Sequence, residues 1–307
     1  MGLFDWLFGE KKQQQRPGTP LLKKKVKLVK HDITKRFDLR GRTGQGSMSK
    51  VYQAYDRTLG RLICLKVLDK VKTQKFEERF SQFGLNKPSE GDVCMSLRHK
   101  NLVQTYELGQ TMTGEPFLVM EWIEGLGMNY LIETKNANLN GKRVNYLIQL
   151  ADALEYLHNA KFLHRDLCPR NVMVDKEGVV KLIDFGLTIP YTPDFCKPGN
   201  RTGTADYLAP EIIKRMTTDH RVDLFALGVT AYELLTNELP WERSASSEET
   251  LRRHLNTTPR DPRQFRPDLE DDMVALLLKS IERDRALRFT SAGAFRDALK
   301  SLDKQDY

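Results

Sequence analysis

The stretch FLHRDLCPRNVMVD at residues 162 to 175, followed by IDFG at residues 183 to 186, is the most informative part of this 307-residue chain. It places Asp166, Asn171 and Asp184 at spacings of 5 and 13 residues. Transfer of a γ-phosphoryl group needs a carboxylate that orients the attacking hydroxyl and oxygen ligands that hold a divalent cation. Because Asp and Asn also populate solvated turns, this interpretation depends on finding the other parts of such a site in order.

Two upstream segments supply candidates for those parts. TGQGSMSKVY at residues 43 to 52 contains Gly44 and Gly46 in a strand-turn-strand pattern, and glycine lets the backbone approach phosphates closely. A tight turn with no ligand is the alternative. LICLKV at residues 62 to 67 places Lys66 inside an apolar strand, where an ammonium group is costly unless it meets a phosphate or carboxylate.

Together these segments resemble the glycine-rich loop, the strand-three lysine, the catalytic loop and the metal-binding turn of eukaryotic-type (Hanks-type) serine/threonine protein kinases. The resemblance implies an α+β, two-lobed fold with a small strand-rich N-lobe and a larger helical C-lobe. Apolar residues at helical spacing predict a helix in the second lobe: Val144, Leu147, Ile148, Ala151, Leu154 and Leu157. The implied boundaries are an N-terminal extension at 1–35, a kinase domain at 36–302 (N-lobe 36–120, hinge about 121–125, C-lobe 126–302) and a tail at 303–307.

The resemblance assigns a role to each candidate site residue. The catalytic set is Asp166, Lys66, Glu90 and Arg170. The ATP-binding set is Thr43, Gly44, Gly46, Ser49, Val51, Cys64, Lys66, Met120, Glu121, Ile123 and Met173, in which Ser49 replaces the usual third glycine and Met120 is the gatekeeper. Asn171 and Asp184 are the Mg²⁺ ligands. Glu90 is placed nine residues before His99 of HKNLV; a solvated loop position is its alternative, because Pro88 and Gly91 weaken the helix around it.

Three downstream segments extend the resemblance: GTADYLAPE (203–211), DLFALG (223–228) and RDRALRF (283–289). In the family they dock the substrate and hold the C-lobe together, which implies that Glu211 pairs with Arg288 and that Asp223 supports the catalytic loop. Small-molecule kinases of the aminoglycoside type generally lack this set. Its presence favours protein substrates.

The catalytic loop departs from the family pattern at one position that bears on chemistry. Cys168 stands where serine/threonine kinases usually carry a lysine that neutralises the transferring phosphate, and Arg170 is a candidate to supply that charge. Pro169, Gly203 and Thr204 are typical of serine/threonine specificity. We therefore predict an ATP- and Mg²⁺-dependent kinase of Ser/Thr hydroxyls, with tyrosine or dual specificity and a non-catalytic pseudokinase scaffold as alternatives.

Regulation is expected in the segment from Leu187 to Ala209. Phosphorylation of Thr202 or Thr192 would create an anion that Arg165, next to Asp166, could bind. Thr204 is a poorer candidate because its hydroxyl resembles the structural one that contacts the catalytic carboxylate.

Charge and cysteine content limit partners and compartment. The formal net charge is +8, but eleven basic and four acidic residues lie within the first 40, so the excess belongs to the N-terminal part and no nucleic-acid partner is expected. MGLFDWLFG followed by LLKKKVKLVK at 21 to 30 matches an apolar helix plus a basic cluster. The first interpretation is an unstructured tail or a helix docked on the chain's own lobe, and contact of residues 1–30 with an anionic membrane surface is the alternative. Four cysteines without metal spacing indicate a cytoplasmic protein, with peripheral location at the inner membrane surface possible if that contact forms. The oligomeric state is left open.

Overall fold

The computed structural model describes residues 28–46 and 49–302, so the predicted apolar helix near the N-terminus and the tail at 303–307 lie outside the described residues. The strands are β1 Lys30–His31, β2 Phe37–Gly46, β3 Ser49–Asp56, β4 Arg61–Leu68, β5 Thr105–Thr111, β6 Pro116–Glu121, β7 Gly125–Gly127, β8 Phe162–Leu163, β9 Val172–Asp175, β10 Val180–Leu182 and β11 Ile189–Pro190. The helices are α1 Ile33–Arg36, α2 Lys70–Ser81, α3 Glu90–Ser96, α4 Met128–Glu133, α5 Arg143–Asn159, α6 Pro210–Ile213, α7 Arg221–Thr236, α8 Ser247–Asn256, α9 Asp271–Ser280 and α10 Ala292–Leu302.

The first lobe is built on one six-stranded sheet in the order β1-β5-β6-β4-β3-β2. Its inner strands β4 and β6 pair antiparallel, with Cys64 opposite Met120 and Lys66 opposite Leu118. Residues from several strands, including Phe37, Ile63 and Phe117, form a separate apolar cluster in this sheet. The sheet therefore holds the Lys66 strand in a central, rigid position.

The second lobe is helical and contains most of the main core. α5 has the predicted buried face, with Val144, Leu147 and Leu154 inside and Ile148 packed at the margin of the core. In α7 every residue after Arg221 is buried, as expected for a helix surrounded by others on all sides. The predicted two-lobed α+β fold is confirmed.

The twelve-residue helix α2 was not predicted. α2 follows β4 after a single residue, Asp69, whose carboxylate accepts a hydrogen bond from the amide of Lys72 and caps the helix. Its buried residues Phe76 and Phe80 do not belong to the main apolar core. They form a third apolar cluster with Leu163, Ile189 and Cys196, so α2 packs against β8, β11 and the segment that follows them.

Candidate active site

Lys66 lies at the centre of a buried ion cluster. Its Nζ is 2.5 Å from Oε1 of Glu90 and 3.0 Å from Oδ1 of Asp184, although the three residues are far apart in sequence. Burial disfavours the charged ammonium, but Asp184 and Glu90 outweigh that effect and raise the pKa of Lys66. Lys66 is therefore a fixed cation whose own side chain is shielded from solvent.

The two carboxylates respond to Lys66 differently. Burial raises the pKa of Glu90, and the Lys66 ammonium offsets this only in part. Burial also acts to raise the pKa of Asp184, but Lys66 and the amide of Gly186, which donates to Oδ1 at 3.0 Å, hold that pKa below its usual value. Asp184 is consequently the carboxylate of the pair that stays ionised most readily.

Glu90 is the first residue of α3 and is held by a capping box. Ser89 accepts a hydrogen bond from the amide of Asp92, and the Asp92 carboxylate accepts from the amide of Ser89. Gly91 has a packing reason, because a Cβ there would lie 2.4 Å from a methyl carbon of Leu108. The expectation that Gly91 only weakens this helix missed that close approach.

The catalytic-loop segment is fixed from below by Asp223 of α7. Its carboxylate accepts hydrogen bonds from the backbone amides of His164 and Arg165, each at 2.8 Å. Arg165 and Asp184 adopt left-handed backbone conformations with φ of 71° and 65°. Non-glycine residues avoid this region at a cost of about 1 kcal/mol or more, and it persists where surrounding contacts enforce it, as at functional sites.

Asp166 is oriented by two neighbours. Thr204 donates to its Oδ1 from both the backbone amide (2.9 Å) and the hydroxyl (2.8 Å). The side-chain amide of Asn171 donates to the Asp166 carbonyl at 2.8 Å and to Oδ2 at 3.1 Å. These contacts leave the Asn171 carbonyl oxygen as the free acceptor of that side chain, which is the group a cation ligand requires.

A cavity of about 130 Å³ brings the charged residues together. Ser49, Lys66, Glu90, Asp166 and Asp184 all line it. Its wall also contains residues that sequence reasoning missed: Thr73, Phe76 and Glu77 of α2, and Lys87. The signal that could have found α2 is the Asp69 cap followed by Phe76 and Phe80 at helical spacing.

Lys87 is a second buried lysine in this wall. Its Nζ donates to the carbonyl of Pro88 at 3.2 Å and lies 5.3 Å from the centre of the Phe76 ring. Burial lowers its pKa. Lys87 therefore adds a second amine to the cavity wall that contains Glu90, and its lowered pKa means that this amine loses its proton more readily than an exposed lysine does.

The candidate nucleotide-binding positions lie along the sheet and its exit. Thr43, Gly44 and Gly46 belong to β2, with Gly46 opposite Ser49 and Gly44 opposite Val51 across the hairpin. Cys64 and Met120 are directly paired, and burial raises the pKa of the Cys64 thiol to about 11. After them come Glu121 at the end of β6, buried Ile123, and Met173 in β9 opposite Gly127.

Cys168 and Arg170 of the catalytic loop differ in burial. Cys168 is buried, its sulfur is 4.0 Å from the Thr204 hydroxyl, and burial raises the pKa of its thiol to about 11. Arg170 is exposed and is not among the residues that line the 130 Å³ cavity. Its role as a substitute for the usual lysine remains a prediction.

The structural pair expected in the second lobe is formed. Arg288 donates from both terminal nitrogens to the carboxylate of Glu211, at 2.8 and 2.9 Å. Within residues 28–46 and 49–302, no cluster of three or more His, Cys, Asp or Glu side chains is arranged to hold a metal ion by itself. The same part of the chain contains no helix with the length and hydrophobicity needed to cross a bilayer.

Comparison with known proteins gives one consistent result. Residues 37–301 match the family model described as protein kinase domain. A probable serine/threonine-protein kinase of Streptomyces coelicolor is 32% identical over 88% of this chain, and serine/threonine-protein kinase pkn3 of Myxococcus xanthus is 30% identical over 89%. Aurora kinase of Saccharomyces cerevisiae is 31% identical over 81%. The matched regions span 40%, 51% and 65% of the length of these three relatives. The chain therefore covers about half or less of the two bacterial proteins.

Proposed function

This chain belongs to the protein kinase family, and we propose that it transfers the γ-phosphoryl group of ATP to Ser or Thr hydroxyls of proteins. The observation that carries the proposal is the shared cavity in which Lys66, Glu90 and Asp184 face Asp166. Lys66 comes from β4 and Glu90 from α3, whereas Asp166 and Asp184 lie in two separate loops. A cavity that collects them has the charges that phosphoryl transfer requires.

In this mechanism Asp166 orients the substrate hydroxyl and accepts its proton. Thr204 fixes Oδ1 of that carboxylate with two hydrogen bonds, which restricts its rotation. Lys66, held by Glu90, binds the α- and β-phosphates of the nucleotide. Because the ammonium is already fixed and desolvated, it stabilises phosphate charge without reorganising during the reaction.

Membership of the family implies ATP and a divalent metal ion. We propose that the ion is Mg²⁺ and that Asn171 and Asp184 would hold it. The donor set fits, because one amide oxygen and one carboxylate of lowered pKa are hard oxygen ligands, and Mg²⁺ usually binds few protein ligands beside substrate phosphates. Bound there, the ion would neutralise phosphate charge.

Serine/threonine specificity is supported by the relatives' names and by the Thr204 contact with Asp166.

We further propose domain limits of 36–302, a cytoplasmic location, and contact of residues 1–30 with anionic membranes. Sedimentation with vesicles of phosphatidylserine or phosphatidylcholine tests the last point. Binding to both vesicle types alike, or to neither, would contradict it.

The test of activity is incubation with Mg²⁺, labelled ATP and a mixture of acceptor peptides that carry Ser, Thr or Tyr. We expect label on Ser and Thr peptides with the wild type and none with Asp166→Ala. A melting curve of the variant controls for folding. Equal labelling by the wild type and a folded Asp166→Ala variant would refute the assignment, and label on Tyr alone would refute the specificity.

A further inference from the structure

A groove of about 860 Å³ lies outside the active-site cavity, between the end of α2 and residues 194–201. Six of its lining side chains define what we call the α2 groove: Arg79, Phe83, Phe195, Lys197, Arg201 and Arg215. Its volume falls within the range of roughly 300–1,000 Å³ that is usual for sites that bury a ligand.

The two walls of the α2 groove are joined by the third apolar cluster. Phe80 of α2 contacts Phe195 of the opposite wall, with ring centroids 5.6 Å apart, and Phe76 packs against Phe80 at 5.5 Å. Phe83 lies beyond this cluster and leaves 79% of its surface exposed. The groove thus has an apolar base of buried aromatic side chains, and one further aromatic side chain, Phe83, that is mostly exposed to solvent.

The rim of the α2 groove is strongly cationic. Arg79, Lys197, Arg201 and Arg215 face it, and Asp194, which is 2.8 Å from Lys197, is the one carboxylate among the lining residues. Arg215 also donates to the carbonyl of Gly199 at 3.4 Å. Four cations against one anion, beside exposed aromatic surface, are complementary to an acidic segment that carries aromatic or aliphatic side chains.

The position of the groove indicates which segment that is. One wall is part of the same loop that, a few residues later, holds Thr204 against Asp166. A polypeptide bound there would lie against the loop that contacts Asp166. The chain's own first 27 residues are a poor match, because they contain seven Lys and Arg residues and only two acidic ones and would meet like charge.

We propose that the α2 groove binds an acidic, aromatic-containing segment of the protein substrate and so selects substrates at a distance from the phosphorylated residue. The proposal rests on the proposed kinase function and adds the substrate class to it. A tethered segment raises the local concentration of the acceptor hydroxyl, so the groove should act mainly on KM.

Binding is measured first, because it does not depend on catalysis. The probe is a fluorescein-labelled synthetic peptide of Asp, Glu and Gly with two Phe residues, and the protein is the full chain. We expect Arg79→Glu and Phe83→Ser each to weaken binding by at least about tenfold. Lys75→Glu is the matched control, because Lys75 is also exposed on α2 but does not line the groove.

Three binding outcomes would overturn the proposal. The first is equal binding by Arg79→Glu, Phe83→Ser and the wild type. The second is equal affinity for a probe in which Asn and Gln replace Asp and Glu. The third is a gain in affinity of about tenfold on removal of residues 1–27, which would show that the chain's own N-terminal part occupies the groove.

Phosphorylation is measured second, with an acceptor peptide alone and joined to the probe sequence by Gly-Ser spacers of increasing length. We expect the joined peptide to have a lower KM with an unchanged kcat, and Arg79→Glu to abolish this gain while it leaves the bare acceptor unaffected. A wild type that phosphorylates neither peptide contradicts the proposed function. A wild type that phosphorylates both equally well contradicts the groove alone.

Discussion

Lys66→Met is the substitution that tests the buried ion cluster most directly. Methionine removes the ammonium and keeps a side chain of similar length, so Glu90 and Asp184 lose their common partner. Breaking a buried ion pair on one side typically costs about 3–5 kcal/mol. The Asp184 side chain is 44% exposed and can recover hydration, whereas the Glu90 side chain is 9% exposed, so we expect about 3 kcal/mol, mostly from Glu90.

The loss should depend on pH, with a sign fixed by Glu90. The pKa of Glu90 in the folded protein is already raised by burial, and the positive charge of Lys66 is the strongest effect that lowers it. Without Lys66 the folded-state pKa rises further, so the folded variant binds a proton more readily than the unfolded chain does. Its stability is then present at low pH and is lost as pH rises through that pKa, by at most about 1.4 kcal/mol per pH unit for one proton.

The assay combines melting curves at pH 5 and pH 8 with a single-turnover phosphorylation measurement. We expect the melting temperature to fall by about 6 °C or more at pH 8, by much less at pH 5, and the rate to fall about a hundredfold or more. Lys50→Met, on the exposed side of β3, is the control for loss of one charge. A fall in melting temperature, relative to the wild type, that is equal at both pH values would refute the roles given to this cluster. Retention of more than about a tenth of the activity with ATP and metal saturating would refute them as well.

Three further predictions concern contacts around the site. Phe80→Ala should reduce activity strongly because it removes the aromatic contact with Phe195, while Phe83→Ala, at an exposed position in the turn after α2, should leave turnover of a bare acceptor peptide unchanged; steady-state kinetics of the pair decides this. Thr204→Val removes one hydrogen bond to the Asp166 carboxylate, so kcat should fall about 10- to 100-fold. Thr202→Val should lower activity only if Thr202 is phosphorylated in the active protein, and mass spectrometry of that protein shows whether it is. Hydrogen exchange of residues 86–97 should slow on addition of ATP and Mg²⁺, because α3 has only 7 residues; strong protection without nucleotide would show that it is preformed.

The parts of the site that the family resemblance implies, through motifs at the family's spacing, could be predicted. The Lys66 contact with Glu90 was expected from the position of Glu90 before His99, and the two atoms are 2.5 Å apart. The support of the catalytic loop by Asp223 was expected in the same way. Each of these rests on a motif whose residues serve one chemical purpose, so their order along the chain carries the information.

The packing of α2 could not be predicted from such spacing. Phe76 and Phe80 show a helical face, but nothing in residues 69 to 89 says that this face meets Leu163 and Cys196 rather than the main core. Contacts between segments so far apart in sequence depend on the geometry of both lobes. The reason for Gly91 was hidden for the same cause, since only the folded sheet places Leu108 against it.

The regulatory expectation about Arg165 is changed by the structure in one respect. Its two terminal nitrogens already donate, to the hydroxyl of Thr218 at 3.4 Å and to the carbonyl of Asn200 at 3.1 Å, and the residue is 4% exposed. A phosphate on Thr202 would have to reach the Nε group, which is buried without a hydrogen-bond partner among the described residues, or displace the two existing contacts. The segment thus has an anchor at Asn200 that does not require modification.

α2 links the strand that carries Lys66 to the segment that contacts Asp166. It begins one residue after the strand that carries Lys66, and its Phe80 contacts Phe195 in the segment that ends at Thr204, the partner of Asp166. The same helix carries Thr73 and Glu77, which line the cavity beside Lys66. Because packed aromatic contacts have discrete arrangements rather than a continuous range, we expect Lys66 and Asp166 to be positioned together.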